Sequence, residues 1–138
     1  SNNNVEVNSI VNLPTTAPFR KQIDINKAIK HFYDYKFDVV ISVTDSHRNP
    51  TFNMTKLKNK KVELAINLKK KFFNRQQAPK FFDMTTNVYV YSPDYILKAN
   101  HLFSGFIGQI HIPRNRSADI DTIDDFTYCE YIIKSNAI

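Results

Sequence analysis

The run Asp38-Val39-Val40-Ile41-Ser42-Val43-Thr44 constrains the fold more than any other stretch. A continuous β-branched run without alternation is the pattern of a strand buried on both faces, as in the middle of an α/β sheet. The residues before it agree. Val5 to Leu13 is extended in character and ends in a strand around Ile10 to Leu13. Asp24 to Lys36 carries Ile25, Ala28, Ile29, Phe32 and Tyr33 at helical spacing. Strand, helix, strand predicts a βαβ unit with a parallel pair and a right-handed crossover.

Further along, Phe52 to Leu57 and Lys61 to Ile66 read as a hairpin across Asn59. Phe81 to Tyr91 has strand composition, Pro93 to Asn100 reads as a short helix, and Gln109 to Ile112 as a strand. The fold class predicted is α/β, a mixed, mostly parallel sheet with flanking helices. No repeat, low-complexity tract or linker divides the chain, so residues 1–138 read as one domain. Residues 67–80 (Lys69, Lys70, Lys71, Arg75, Gln76, Gln77, with Phe72 and Phe73) read as a projecting basic arm.

Composition bounds the function. Hydrophobic residues make up 42% of the chain, enough for a core and against wholesale disorder. The net charge of +6 fits an anionic partner or a lysine-rich proteome. A nucleic-acid module would use Lys56 to Lys61 and Lys69 to Arg75, with Phe72 and Phe73 as stacking platforms, but no known module pattern appears, so nucleic acid is not expected. The single cysteine, Cys129, excludes an internal disulfide and fits a reducing cytoplasm. No charged-then-apolar leader is seen and the longest apolar run is too short to cross a bilayer, so no membrane partner is expected. The four histidines are not spaced as zinc ligands.

Chemistry concentrates in Arg114-Asn115-Arg116-Ser117-Ala118-Asp119-Ile120-Asp121-Thr122-Ile123-Asp124-Asp125-Phe126, which holds four carboxylates and two arginines in thirteen residues. Thr122 reads as a helix N-cap with Asp125 three residues on, ahead of an apolar pattern at Phe126, Cys129, Ile132 and Ile133. That leaves Asp119 and Asp121. If the stretch is extended, these two share a face and Ile120 points to the core. Adjacent carboxylates repel unless a cation or proton lies between them. Oxygen ligands of this kind suit Mg²⁺, which is held by one or two carboxylates plus substrate phosphates. The plain alternative is a solvated acidic loop.

Ser117-Ala118-Asp119-Ile120-Asp121-Thr122 followed by Asp124-Asp125-Phe126 resembles the C-terminal signature of the acylneuraminate cytidylyltransferases. Three more segments are collinear with it. Leu13 to Arg20 (Leu-Pro-Thr-Thr-Ala-Pro-Phe-Arg) is similar to the family's Leu-Gln-Pro-Thr-Ser-Pro-Leu-Arg loop. Val40 to Thr44 is similar to its Val-Ile-Ser-Val-Thr strand, and Arg75-Gln76-Gln77-Ala78-Pro79 to its Arg-Gln-x-x-Pro segment.

The resemblance implies a Rossmann-like nucleotidyltransferase fold and transfer of CMP from CTP to a nine-carbon acidic sugar, with release of pyrophosphate. It implies Asp119 and Asp121 as the catalytic Mg²⁺ ligands. It implies Arg75, Gln76, Thr15 and Arg20 as substrate-binding residues, and a homodimer crossed by the basic arm. The bland readings are a solvated arm for Arg75, and arginines at 20 and 116 that balance local carboxylates.

The chain departs from the family in three ways. It lacks the family's Pro-Ala-Arg-Gly-Gly-Ser-Lys-Gly loop, which cradles CTP; its two glycines, Gly105 and Gly108, lie late. It therefore resembles the C-terminal half of such an enzyme: a fragment, a split product with a separate N-terminal half as a partner, or a remnant that keeps the fold without catalysis. Leu13 stands where many members have a sugar-contacting Gln, and an extra residue separates the prolines. Phe82 to Tyr89 lacks the Arg and Asn-Gly of many sialic-acid enzymes, so a related nonulosonic acid is as good an expectation as sialic acid.

Overall fold

A computed structural model describes residues 6–69, 72 and 74–135; for Arg75 it describes the backbone only. The strands are β1 (Ile10–Asn12), β2 (Val39–Asp45), β3 (Thr55–Lys58), β4 (Lys61–Leu64), β5 (Phe82–Tyr91) and β6 (Ile107–His111). The helices are α1 (Gln22–Tyr35), α2 (Pro93–Lys98) and α3 (Ile123–Lys134). The chain forms two compact units, one of Ser1–Thr44 with Met84–Ile138, the other of Asp45–Asp83. Among the described residues no helix is long and apolar enough to cross a membrane.

The larger unit is built on a four-stranded mixed sheet in the order β1-β5-β2-β6. β2 pairs parallel with β6, and β1 pairs antiparallel with β5. The β-branched run is the central strand the sequence predicts, buried from Val39 to Thr44. Its alternate residues feed two cores. Val40 joins Val88, Val90, Ile110 and Ile112, with Ala28 and Phe32 of α1 laid over them. Val39, Ile41 and Val43 face the other way, toward Tyr89, Tyr91, Tyr95 and Leu102. Ser42 is fully buried yet satisfied: its hydroxyl donates to Thr85 O (3.0 Å) and accepts from Thr85 Oγ1 and the Val88 amide.

One expectation fails. β1 and β2 do not form the predicted parallel pair, because β5 lies between them. Three-residue β1 offers little ladder of its own, and ten-residue β5 takes it as an antiparallel neighbour. The parallel partner of β2 is β6, whose carboxyl end leads straight into the Arg114–Arg116 turn and the acidic segment.

α1 ends where Lys36 enters the left-handed region (φ 54°) and the Phe37 amide bonds back to Phe32 O. Glycines serve close packing. A Cβ on Gly108 would lie 2.4 Å from the Phe37 ring, and one on Gly105 2.4 Å from Tyr95.

The smaller unit contains the predicted hairpin. β3 and β4 pair antiparallel across Asn59 and Lys60, both at positive φ as a tight two-residue turn requires. Asn49 organises the remainder. Its side-chain Nδ2 donates to Pro79 O, and its main-chain carbonyl accepts from the amides of Phe52, Asn53 and Met54.

Candidate functional site

In the sheet unit, three segments are tied together where the sequence places the chemistry. The Ile120 amide donates to Thr16 O at 2.9 Å, joining the acidic segment to the Pro14–Arg20 loop. Arg20 donates from Nε to Asn87 O and from Nη2 to Pro14 O, so the loop is also bound to β5. Asn87 in turn donates from Nδ2 to Arg116 O at 3.0 Å. Arg116 reaches ninety-two residues back to pair with Asp24 of α1, whose carboxylate is fully buried.

Within this frame Asp119 is half-buried and Asp121 exposed. Asp119 Oδ1 is shielded from solvent and has no hydrogen-bond partner. A buried carboxylate oxygen without a donor is costly unless a cation or proton meets it. Asp119 also lies close enough to Tyr89 to matter: burial first, then Tyr91 and Asp119, push the Tyr89 phenol above its ordinary range. That phenol therefore stays neutral. Among the described residues no group of three or more His, Cys, Asp or Glu side chains converges. The described residues thus build no all-protein metal cage. The unpartnered buried oxygen of Asp119 fits a hard cation that takes other ligands from phosphate and water.

The acidic residues after Asp121 behave as a helix start. Thr122 Oγ1 accepts from the Asp125 amide, and Asp125 accepts from the amides of Thr122 and Asp121. These bonds, the Thr122 hydroxyl foremost, hold the Asp125 carboxyl below the usual carboxylate range.

The other sequence candidates lie apart in role or place. Thr15 is an exposed loop residue. Arg20 binds main-chain carbonyls, among them Thr86 O at 3.5 Å, rather than a local carboxylate. Gln76 belongs to the smaller unit, where it lines a cavity of about 360 Å³ with Ser46, Arg48, Asn49, Pro79 and Lys80. The Arg75 side chain lies outside the described part. So do Lys70, Lys71 and Phe73 of the predicted arm.

Asp24, Asn87 and the long-range role of Arg116 were not legible in advance. Asn87 did leave a trace: an Asn inside a β-branched and aromatic strand runs against β-propensity.

The chain matches no protein-family model. It is 30% identical over 129 residues to the post-translational flagellin modification protein B of Campylobacter coli, covering 94% of this chain and 54% of that one. It is 32% identical over 94 residues to the CMP-N,N'-diacetyllegionaminic acid synthase of Campylobacter jejuni, covering 68% of this chain and 39% of the relative. The chain thus spans about half the length, or less, of these curated relatives. In fold it is similar to the crystal structure of 4-diphosphocytidyl-2C-methyl-D-erythritol synthase from Anaerococcus prevotii. The TM-score is 0.60 at 12% identity, over 92% of this chain and 59% of that one. The resemblance to the acylneuraminate cytidylyltransferases read from the sequence thus agrees with these sequence relatives, each matched over part of its length.

Proposed function

We propose that this chain is the metal- and sugar-binding part of a cytidylyltransferase that joins CMP from CTP to an N-acylated nonulosonic acid. The observation that carries the reading is the acidic segment bound to the Pro14–Arg20 loop through Ile120, with a buried, partnerless oxygen on Asp119. The name of the Campylobacter jejuni relative, a CMP-N,N'-diacetyllegionaminic acid synthase, points to the same chemistry.

In the reaction the anomeric hydroxyl of the sugar attacks the α-phosphorus of CTP. A new O–P bond forms, the bond from the α-phosphorus to the bridging oxygen breaks, pyrophosphate leaves with that oxygen, and the hydroxyl proton passes to water. Asp119 and Asp121 would hold Mg²⁺, which when bound neutralises triphosphate charge and favours departure of pyrophosphate. The chain's own residues fix the carboxylates in place. Thr16 O holds Ile120 between them, and Asp125 holds the Asp121 amide. Alignment of attack depends on such fixed geometry. In the smaller unit, Arg48, Lys80 and Gln76 offer donors for a sugar carboxylate, with Arg75 next to Gln76 in sequence.

A second reading, a fold that binds no CTP by itself, is favoured by one observation. Both glycines are occupied in packing against Phe37 and Tyr95, so neither can serve a phosphate-cradling loop. On this reading the grip on CTP comes from residues outside this chain, as a separate N-terminal half or an adjoining one. The homodimer and its basic arm belong to the same proposal.

The test is Mg²⁺-dependent pyrophosphate release from CTP with a panel of nonulosonic acids, using this chain alone and with the remaining half of a relative added in trans. Asp121→Ala in the active combination is expected to lower turnover by orders of magnitude with the fold retained. Unchanged Mg²⁺-dependent turnover in that variant removes the metal assignment.

A further inference from the structure

Residues 116 to 121 are fixed at more points than a surface loop needs. Arg116 is held twice, by its side chain to Asp24 and by its carbonyl to Asn87. The Ile120 amide is held by Thr16 O, and the Asp121 amide by Asp125. Asp119 lies between the first of these ties and the second.

The first tie is an unusual way to gain stability. Asp24 is fully buried and the Arg116 side chain is 16% exposed, so two charges are withdrawn from water. Such pairs are often no better for stability than well-packed apolar residues, because desolvation offsets their attraction. The surroundings are costly too. Arg116 Nε and Asn87 Oδ1 are both buried without partners, and Asn87 is wholly buried in β5, next to the core residue Val88. A polar network that is dear to keep yet fixes one geometry makes sense where geometry is what matters.

The same network reaches α1. Asp24 uses one carboxylate oxygen for Arg116 and the other for the Lys21 amide at 3.2 Å, so the start of α1 and the acidic segment share one side chain. Arg20, one residue before Lys21, holds the carbonyl of Asn87.

We propose that Asp24, Asn87 and Arg116 are positioning residues that set the Asp119–Asp121 carboxylates for a divalent cation. The proposal rests on the metal reading above. Asp24 and Asn87 are fully buried and the Arg116 side chain is largely so, so they act through the backbone of residues 116–120. Groups that orient metal ligands commonly change metal affinity by about 10–100-fold when removed.

The experiment uses the chain as it is, with Mn²⁺ as the probe and two readouts. One is Mn²⁺ affinity by electron paramagnetic resonance. The other is amide hydrogen exchange at Ile120, which needs no metal. The variants are Arg116→Gln, Asp24→Asn and Asn87→Ala. A core variant, Val90→Ala, shows what loss of stability alone does. The expected result is Mn²⁺ affinity at least about tenfold weaker in the three network variants, faster exchange at Ile120, and neither effect in Val90→Ala. Arg116→Lys, which keeps the charge, should recover part of both.

Network variants that behave like Val90→Ala in both readouts overturn the positioning role and leave the metal reading standing. If the unaltered chain binds Mn²⁺ no better than Asp121→Asn does, the metal reading fails and the positioning role falls with it, whatever Ile120 shows.

Discussion

Helices α1 and α3 are written alike and used differently. Each has an Asp at its third position, Asp24 and Asp125, accepting from the amide of its cap residue. Each carries apolar residues at helical spacing. Yet α1 buries Asp24, Ala28 and Phe32, whereas α3 buries Cys129 and leaves Ile123, Phe126, Tyr128, Tyr131 and Ile133 exposed. The same local code thus gives one helix that closes a core and one that leaves most of its apolar residues exposed. Capping fixes where a helix begins; it does not determine what the apolar stripe meets.

The largest expected effect is on the acid at the third position. Asp24→Ala leaves Arg116 without its buried partner and should destabilise the fold by about 3–5 kcal/mol in urea titration. A loss under about 1 kcal/mol would show that the pair contributes no more than a surface contact, and the contrast between the two helices would narrow.

The phenylalanines sharpen the comparison. Phe32, 5% exposed, should lose about 3–5 kcal/mol on replacement by Ala. Phe126, 48% exposed, should lose less than about 1 kcal/mol. Equal losses would mean that α3 is covered in solution.

Smaller is the cap itself. Thr122→Ala removes the acceptor for the Asp125 amide and should reduce stability by about 1 kcal/mol, read by thermal unfolding.

The smallest effect is a pH dependence confined to α3. Asp125 has a folded pKa below its unfolded value of 3.8, so its contribution is present above that pH and fades as pH falls through the folded value. Carboxyl NMR titration should show Asp125 below the usual range, and Thr122→Val should move it upward. An unshifted Asp125 in the unaltered chain would remove the cap as its cause.

These contrasts also show what was readable beforehand. The central strand, α1, the hairpin turn at Asn59 and the Thr122 cap follow from local pattern, since a β-branched run, a 3.6-residue period and a capping box each act within a few residues. The partner of β1 was misread because three residues carry no ladder information. The site was half legible. Asp119 and Asp121 stand out as carboxylates that no cap explains, while the Asp24–Arg116 pair, ninety-two residues apart, leaves no mark in either local sequence.

The sequence alone therefore determined the α/β class, the element order and the acidic segment with its family likeness, because propensity, periodicity and motif are short-range properties. Tertiary structure alone decided which strands are neighbours, which apolar stripe is buried, and that Arg116 lies against Asp24 and Asn87. Those outcomes depend on how separate elements pack and on which buried polar groups find partners, and packing is a property of the whole chain.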